Sequence, residues 1–234
     1  MKHVLITGAN KGIGYEVAKK MAQLGYHVYL GCRDEQNGTT AINQLKAEGL
    51  TNIEFLKIDV SDLHAVKQAA ASIASLDILI NNAGIPGAQP QNISACDIEE
   101  IKRIFNTNYF GVIQTTQAFL PLLKKAPLPV IVNVSSELGS LAMQTAKDRF
   151  ANWDNYHAYG ATKTALNTFT INLSQELRNF KINSVTPGYT ATDLNNFAGF
   201  KTAAQGAEPI VRLATIGEDG PTGQFFRQEG ELPW

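Results

Sequence analysis

Short apolar runs without alternation recur along the chain, and each is followed by a stretch with apolar residues at helical spacing. Val4-Leu5-Ile6 predicts a buried strand that ends in a glycine-rich turn. Ile13, Val17, Met21 and Leu24 then form one stripe of a helix that stops at Gly25. Residues 27–31 read as a second strand. Ala41, Ile42 and Leu45 mark the next helix, which ends near Gly49. Residues 53–58 give a third strand, and Ser61 offers an N-cap for a helix carrying Leu63, Val66, Ala70 and Ile73. A fourth strand covers 77–80, and a long helical region covers 98–123. Pro127-Leu128-Pro129 separates that region from a fifth strand at 130–134. A helix over 156–179, a sixth strand at 182–185 and a last edge strand at 223–226 complete the pattern.

Strands apolar at every position are covered on both faces, which is the condition of a parallel sheet. Strand-helix alternation over nearly the whole length predicts an α/β fold: a Rossmann-like, doubly wound parallel sheet with helices on both faces. No repeat, linker or low-complexity tract divides the 234 residues, so a single domain is expected, with a cofactor half over 1–130 and a catalytic half over 131–234. Hydrophobic residues at 44% and charged residues at 18% suit a core that needs no disulfide or metal staple. The net charge of −1 and the scattered basic residues argue against nucleic acid or an acidic membrane as partner. Cys32 and Cys96 show no paired spacing, which suits a reducing compartment and small apolar fillers. His3, His27, His64 and His157 lie at no metal-ligand spacing, so no metal is expected. The first apolar run is too short for a secretory leader, and no stretch approaches the ~20 apolar residues of a membrane span. A cytoplasmic protein is the expectation.

The first turn reads Thr7-Gly8-Ala9-Asn10-Lys11-Gly12-Ile13-Gly14. Glycines here allow a sharp strand-to-helix turn, close approach of the backbone to a pyrophosphate, and tight packing of helix on strand. The helix start then points free N–H groups at the anion. A plain glycine turn is the alternative, but the position between first strand and first helix favours a dinucleotide. The second strand runs into Gly31-Cys32-Arg33-Asp34. Cys32 stands where an acid would hold an unphosphorylated ribose, and Arg33 follows it. With Lys11 approaching from the glycine loop, Arg33 can grip a 2′-phosphate, so NADPH is expected over NADH. A solvated loop charge is the other meaning of Arg33, and Asp34 reads as the cap of the following helix.

The order Thr7-Gly8-x-x-x-Gly12-x-Gly14, Asp59, Asn81-Asn82-Ala83-Gly84, Asn108, Ser135-Ser136, Tyr159-x-x-x-Lys163 and Pro187-Gly188 resembles the short-chain dehydrogenases/reductases. The resemblance runs from about residue 2 onward, and Lys11 with Arg33 is similar to the NADPH-using carbonyl reductases of that family. A second Tyr-x-x-x-Lys, Tyr15 with Lys19, reads as a polar pair on the first helix. The Tyr159 pair follows the fifth strand, and Ser136 falls near its carboxyl end, where open parallel sheets bind ligands. Reducing a carbonyl needs a hydride for carbon and a proton for oxygen. A free tyrosine titrates near about 10, and a neighbouring lysine, together with the positive nicotinamide of the oxidised cofactor, is expected to lower that value. Ser136 can steady the charge on the substrate oxygen.

Further roles follow from the resemblance. Ser136, Tyr159, Lys163 and Asn108 are the implied catalytic set; Lys163 also holds the nicotinamide ribose, and Asn108 holds a water linking the lysine to solvent. Gly8, Asn10, Lys11, Gly12, Ile13 and Gly14 would cradle NADPH/NADP+. Asp59 and Val60 would flank the adenine, and Asn82, Ala83 and Gly84 its ribose. Pro187, Gly188, Thr190 and Thr192 would hold the carboxamide side, fixing the ring face that reacts.

The stretch between Ser136 and Tyr159 is longer than in most of the family. It holds Met143, Phe150, Trp153 and Tyr156, which form either a wall of the substrate pocket or a self-packed surface loop. Residues 193–208 read as a modest lid. Related reductases pack the Asn108 and Tyr159 helices into subunit interfaces; a homodimer is expected, though the longer stretch could obstruct it. The expected activity is NADPH-dependent reduction of a small-molecule aldehyde or ketone. An alcohol dehydrogenase working oxidatively and a non-catalytic cofactor-binding regulator are the alternatives. Leu138, Met143, Trp153 and Tyr189 hint at an apolar or aromatic substrate.

Overall fold

Neighbouring residues of a strand point to opposite faces of a sheet, so a strand apolar throughout feeds two cores. In β1 (His3–Thr7), Val4 and Ile6 join one cluster and Leu5 the other, all fully buried. The protein is described by a computed structural model covering residues 1–149 and 151–234. The remaining strands are β2 (His27–Cys32), β3 (Ile53–Lys57), β4 (Ile78–Asn81), β5 (Val130–Val134), β6 (Lys181–Val185), β7 (Phe225–Arg227) and β8 (Gly230–Leu232). They lie in the order β3-β2-β1-β4-β5-β6-β7-β8. Every pair is parallel except β7 with β8. The winding direction reverses between β1 and β4, the place where such a sheet opens a crevice beyond its carboxyl ends.

One face carries α1 (Gly12–Gln23), α2 (Glu35–Ala47) and α8 (Ala203–Ala214), whose Val17, Leu45 and Ile210 meet Val4 and Ile6. The other carries α3 (Leu63–Ser72), α5 (Gly111–Leu123) and α7 (His157–Glu176), whose Val66, Phe119 and Leu173 meet Leu5, Leu79 and Ile131. Two shorter helices, α4 (Ile98–Phe105) and α6 (Leu141–Gln144), stand beside the carboxyl-end loops. Among the described residues no helix is long and apolar enough to cross a membrane.

Several element ends differ from the pattern reading, each for a local reason. Asp62, not Ser61, caps α3: its carboxylate accepts from His64 N at 2.8 Å, while Ser61 donates to Asp59 at 2.6 Å. Leu24 falls one residue past α1 at its C-cap and is 59% exposed, outside the apolar stripe. The helix expected over 98–123 is α4 and α5 joined by a π-helical turn, Asn106–Phe110. That turn's extra residue shifts the face presented, and Asn108 becomes fully buried. The helix expected to reach 179 stops at Glu176. The last strand starts at Phe225 and is not an edge, because β8 returns antiparallel outside it. Arg212 of α8 clasps the turn between them, donating to the carbonyls of Gln228 at 2.8 Å and Arg227 at 2.7 Å. Asp34 does cap α2, accepting from Asn37 N at 2.7 Å. Cys32 and Cys96 are both free thiols; Cys32 is buried, and Cys96 is only half-buried and so not a core filler.

Candidate active site

The carboxyl ends of β4, β5 and β6 open into a cavity of about 580 Å³. Ser136 comes from the turn after β5, Tyr159 and Lys163 from the first half of α7, and Pro187, Gly188 and Thr190 from the loop after β6. A four-residue spacing puts Tyr159 and Lys163 on one helix face, and that face is turned inward, leaving them 9% and 4% exposed. Lys163 Nζ donates to the Val134 carbonyl at 2.8 Å and stands over the Tyr159 ring, 5.5 Å from its centroid. The Ser136 hydroxyl is hydrogen-bonded to the Tyr159 phenol and accepts from Leu138 N at 3.2 Å. Its neighbour Ser135 is buried with its hydroxyl unpartnered among the described residues.

Lys163 on its own, apart from the nicotinamide, does not lower the phenol. Burial pushes Tyr159 above its usual value, and only the Ser136 hydrogen bond pulls the other way. Burial likewise brings Lys163 down to about 8. In a desolvated site both charged forms are disfavoured, and here the ammonium faces the ring rather than substituting for water around the phenol oxygen.

Asn108 sits behind the cavity rather than in its lining. Its Oδ1 accepts from Ile85 N at 2.8 Å, and its Nδ2 donates to Ile85 O at 2.9 Å and Thr162 Oγ1 at 3.2 Å. Both ends of the amide thus brace the turn after β4. The bracing brings Gly84 so near that an added Cβ would lie 3.4 Å from Asn108 Oδ1 and 3.7 Å from Lys163 Nζ.

The glycine loop is stapled to the same turn. Thr7 Oγ1 accepts from the backbone of Asn82 and Ala83 at 3.0 Å each, and Asn82 Nδ2 donates to Thr7 O at 2.8 Å and Gly8 O at 3.1 Å. Gly8 has φ +64°, a conformation glycine adopts without strain. At Gly14 an added Cβ would meet both Asn82 Nδ2 and Gly8 O at 2.5 Å, so helix and loop can pack only on a glycine. No side chain caps the start of α1, which leaves its first-turn N–H groups for an outside acceptor. An uncapped helix start beside a cavity fits the pyrophosphate of a dinucleotide.

Of the other expected contacts, Ile13, Asn82, Gly84 and Thr192 line the cavity with Pro187, Gly188 and Thr190. Gly8, Gly14 and Ala83 are not in that lining; Gly14 is buried, and Gly8 and Ala83 are half-buried. Asn10, Lys11 and Gly12 border a separate recess reached from Thr192. Lys11 pairs there with Asp193 at 3.1 Å, and Arg33 is exposed at the end of β2. Asp59 and Val60 lie outside the cavity lining. The Asp59 carboxylate is taken by Ser61, and the Val60 carbonyl accepts from Gln114.

Within the longer stretch, Trp153 and Tyr156 line the cavity and Met143 does not; Phe150 lies outside the described residues. The segment read as a lid, 193–208, is not one loop: Thr190 bridges to Lys201, and α8 begins at Ala203. Asn195 fastens the segment, donating to Thr190 O at 2.9 Å. Four charged lining residues were not foreseen: Glu137, Lys201, Arg227 and Glu229. Only Glu137 carried a signal, its place directly after Ser136.

The family described as short chain dehydrogenase matches residues 2–201. (+)-Neomenthol dehydrogenase of Capsicum annuum is 33% identical over 96% of this chain and 95% of its own length. Salutaridine reductase of Papaver bracteatum is 32% identical over 97% of this chain and 94% of its own. The crystal structure of an NADPH-bound carbonyl reductase from chicken fatty liver aligns with a TM-score of 0.86 at 28% identity, covering 100% of this chain and 99% of that one.

Proposed function

Because the chain belongs to the short-chain dehydrogenase family, a family of nicotinamide-dependent oxidoreductases, we propose that it reduces an aldehyde or ketone to an alcohol with NADPH. The observation that carries this reading is the convergence of Ser136, Tyr159 and Lys163 on one cavity wall, with Ser136 hydrogen-bonded to the phenol and Lys163 over its ring. Bound NADPH would supply the hydride to the carbonyl carbon. Tyr159 then gives its proton to the carbonyl oxygen, and Ser136 donates a hydrogen bond to that oxygen as negative charge builds there. The raised phenol suits a proton donor, since it keeps Tyr159 protonated until the substrate oxygen becomes basic. Lys163, still charged below about 8, offsets the phenolate left behind and holds the cofactor ribose. Asn108 positions Gly84 and Ile85 beside it. Arg33, with Lys11 once released from Asp193, would bind the 2′-phosphate that separates NADPH from NADH, in line with the NADPH-bound reductase structure.

The test is Tyr159→Phe, which keeps the ring and removes the proton. NADPH binding, followed by fluorescence, should be unchanged, while turnover of a panel of aldehydes, ketones and α-dicarbonyls falls by about 10²–10⁴-fold. Retained turnover would assign the proton to another group.

A further inference from the structure

Among the cavity side chains unused by this chemistry, one carboxylate stands next to the reacting groups. Glu137 lines the cavity directly after Ser136, and among the described residues no hydrogen bond or ion pair engages its carboxylate. Its backbone is nonetheless firmly held. The 3-10 turn Glu137–Gly139 closes with Gly139 N on Ser136 O at 2.8 Å and Ser140 N on Glu137 O at 3.0 Å. Asn167 Nδ2 of α7 donates to Gly139 O at 3.1 Å, and Gln144 donates to Leu138 O. An added Cβ at Gly139 would lie 2.8 Å from the Lys163 carbonyl carbon, so the turn rests directly on the residue beneath the reacting phenol. The cavity thus holds a fixed acceptor without a donor, registered against Ser136, Tyr159 and Lys163. Half-buried and unpaired, such a carboxylate is costly to keep, and burial pushes it above its ordinary value.

The charges around it select the donor. Arg227 and Lys201 act on Glu137 through space, but Glu229 already engages both, at 3.3 and 3.8 Å. Two acids and two bases leave this part of the wall neutral, so its field draws in neither a carboxylate nor an ammonium ligand. What it offers is a hydrogen-bond acceptor.

We propose that Glu137 is a specificity-determining residue that accepts a hydrogen bond from a hydroxyl group of the substrate, making the preferred substrate a neutral hydroxy-ketone or hydroxy-aldehyde. The inference rests on the carbonyl-reduction reading. A site that hydrogen-bonds a substrate hydroxyl rejects the analogue lacking it, because its own polar group is then left unpaired.

The experiment compares 3- and 4-hydroxycyclohexanone with the corresponding methylcyclohexanones on the native enzyme, Glu137→Gln and Glu137→Leu. In the native enzyme the better hydroxy-ketone should exceed its methyl counterpart about tenfold or more in kcat/KM, mainly through KM. Glu137→Leu should bring the ratio to one or below, and Glu137→Gln, which keeps an acceptor oxygen, should retain part of it. Both substrates are read on the same protein, so loss of folded enzyme cancels. Calorimetric binding of 1,4-cyclohexanediol against 4-methylcyclohexanol to the NADP+ complex should show the same ordering. A native ratio at or below one, a ratio indifferent to Glu137→Leu, or a stronger preference for 4-aminocyclohexanone or 4-oxocyclohexanecarboxylate would overturn the inference alone. Failure of the native enzyme to turn over any carbonyl compound would remove the reduction reading and this inference with it.

Discussion

Lys163 is the side chain at which burial and function pull hardest against each other. Desolvation lowers it to about 8, so it loses its charge as pH rises through that value, far below an exposed lysine. If the ammonium holds the cofactor ribose, NADPH affinity should be constant from pH 6 to 7.5 and then weaken, approaching about tenfold per pH unit above 8. Fluorescence titrations across that range check this, and a flat profile to pH 9.5 would place the ammonium outside the binding site. Spacing paired Tyr159 with Lys163, and location after the fifth strand set them apart from the equally spaced Tyr15 and Lys19, whose lysine pairs with Glu48. Neither was enough to give the sign of the phenol's shift. That sign depends on how much water the folded chain removes, and removal here outweighs the opposing hydrogen bond from Ser136.

The elements that carry the site are joined by a buried polar row that no hydrophobic pattern reveals. Asn81 of β4 donates to Asn133 of β5 at 2.9 Å and to Thr116 of α5 at 3.2 Å. Asn133 donates to Thr170 of α7 at 2.8 Å, and Thr170 shares a 2.8 Å hydrogen bond with Ser184 of β6. All five are buried. Asn133→Leu would leave Asn81 and Thr170 each short of a partner, at about 1–3 kcal/mol apiece. A loss of ~3 kcal/mol should lower the melting temperature by roughly 6–12 °C. An unchanged melting temperature would show that the row relaxes without cost. The strand 130–134 was legible because four of its five residues are apolar, and the same averaging concealed what its asparagine does. The π-helical turn was hidden for a related reason. One extra residue inside a long amphipathic stretch barely disturbs the period, yet it decides which way Asn108 faces. Three-residue strands such as β7 and β8 have too few positions to show any period.

For the whole molecule, order of elements and winding of the sheet could be read from the chain, because the central strands are mostly apolar without alternation and the glycine loop marks the first crossover. Residues distant in sequence that meet in the cavity, such as Lys201 and Arg227 with Glu137, could not, since only the fold brings them together. Cofactor choice acts at this scale too, through stability. A ligand that binds only the folded chain adds about 2.7 kcal/mol at a hundred times its Kd, so saturating NADPH should raise the melting temperature by roughly 5–10 °C. NADH at the same concentration should raise it less, and Arg33→Asp should reverse that order; equal shifts in the variant would exclude Arg33 from phosphate binding. The clasp of Arg212 on the turn between β7 and β8 has a longer reach. It grips the carbonyls of Arg227 and Gln228, atoms that every amino acid possesses. Replacing the side chains at 227 or 229, both in the cavity lining, therefore changes what an incoming molecule meets while leaving the grip in place. The chemistry of that corner can thus be rewritten without undoing the closure that holds it.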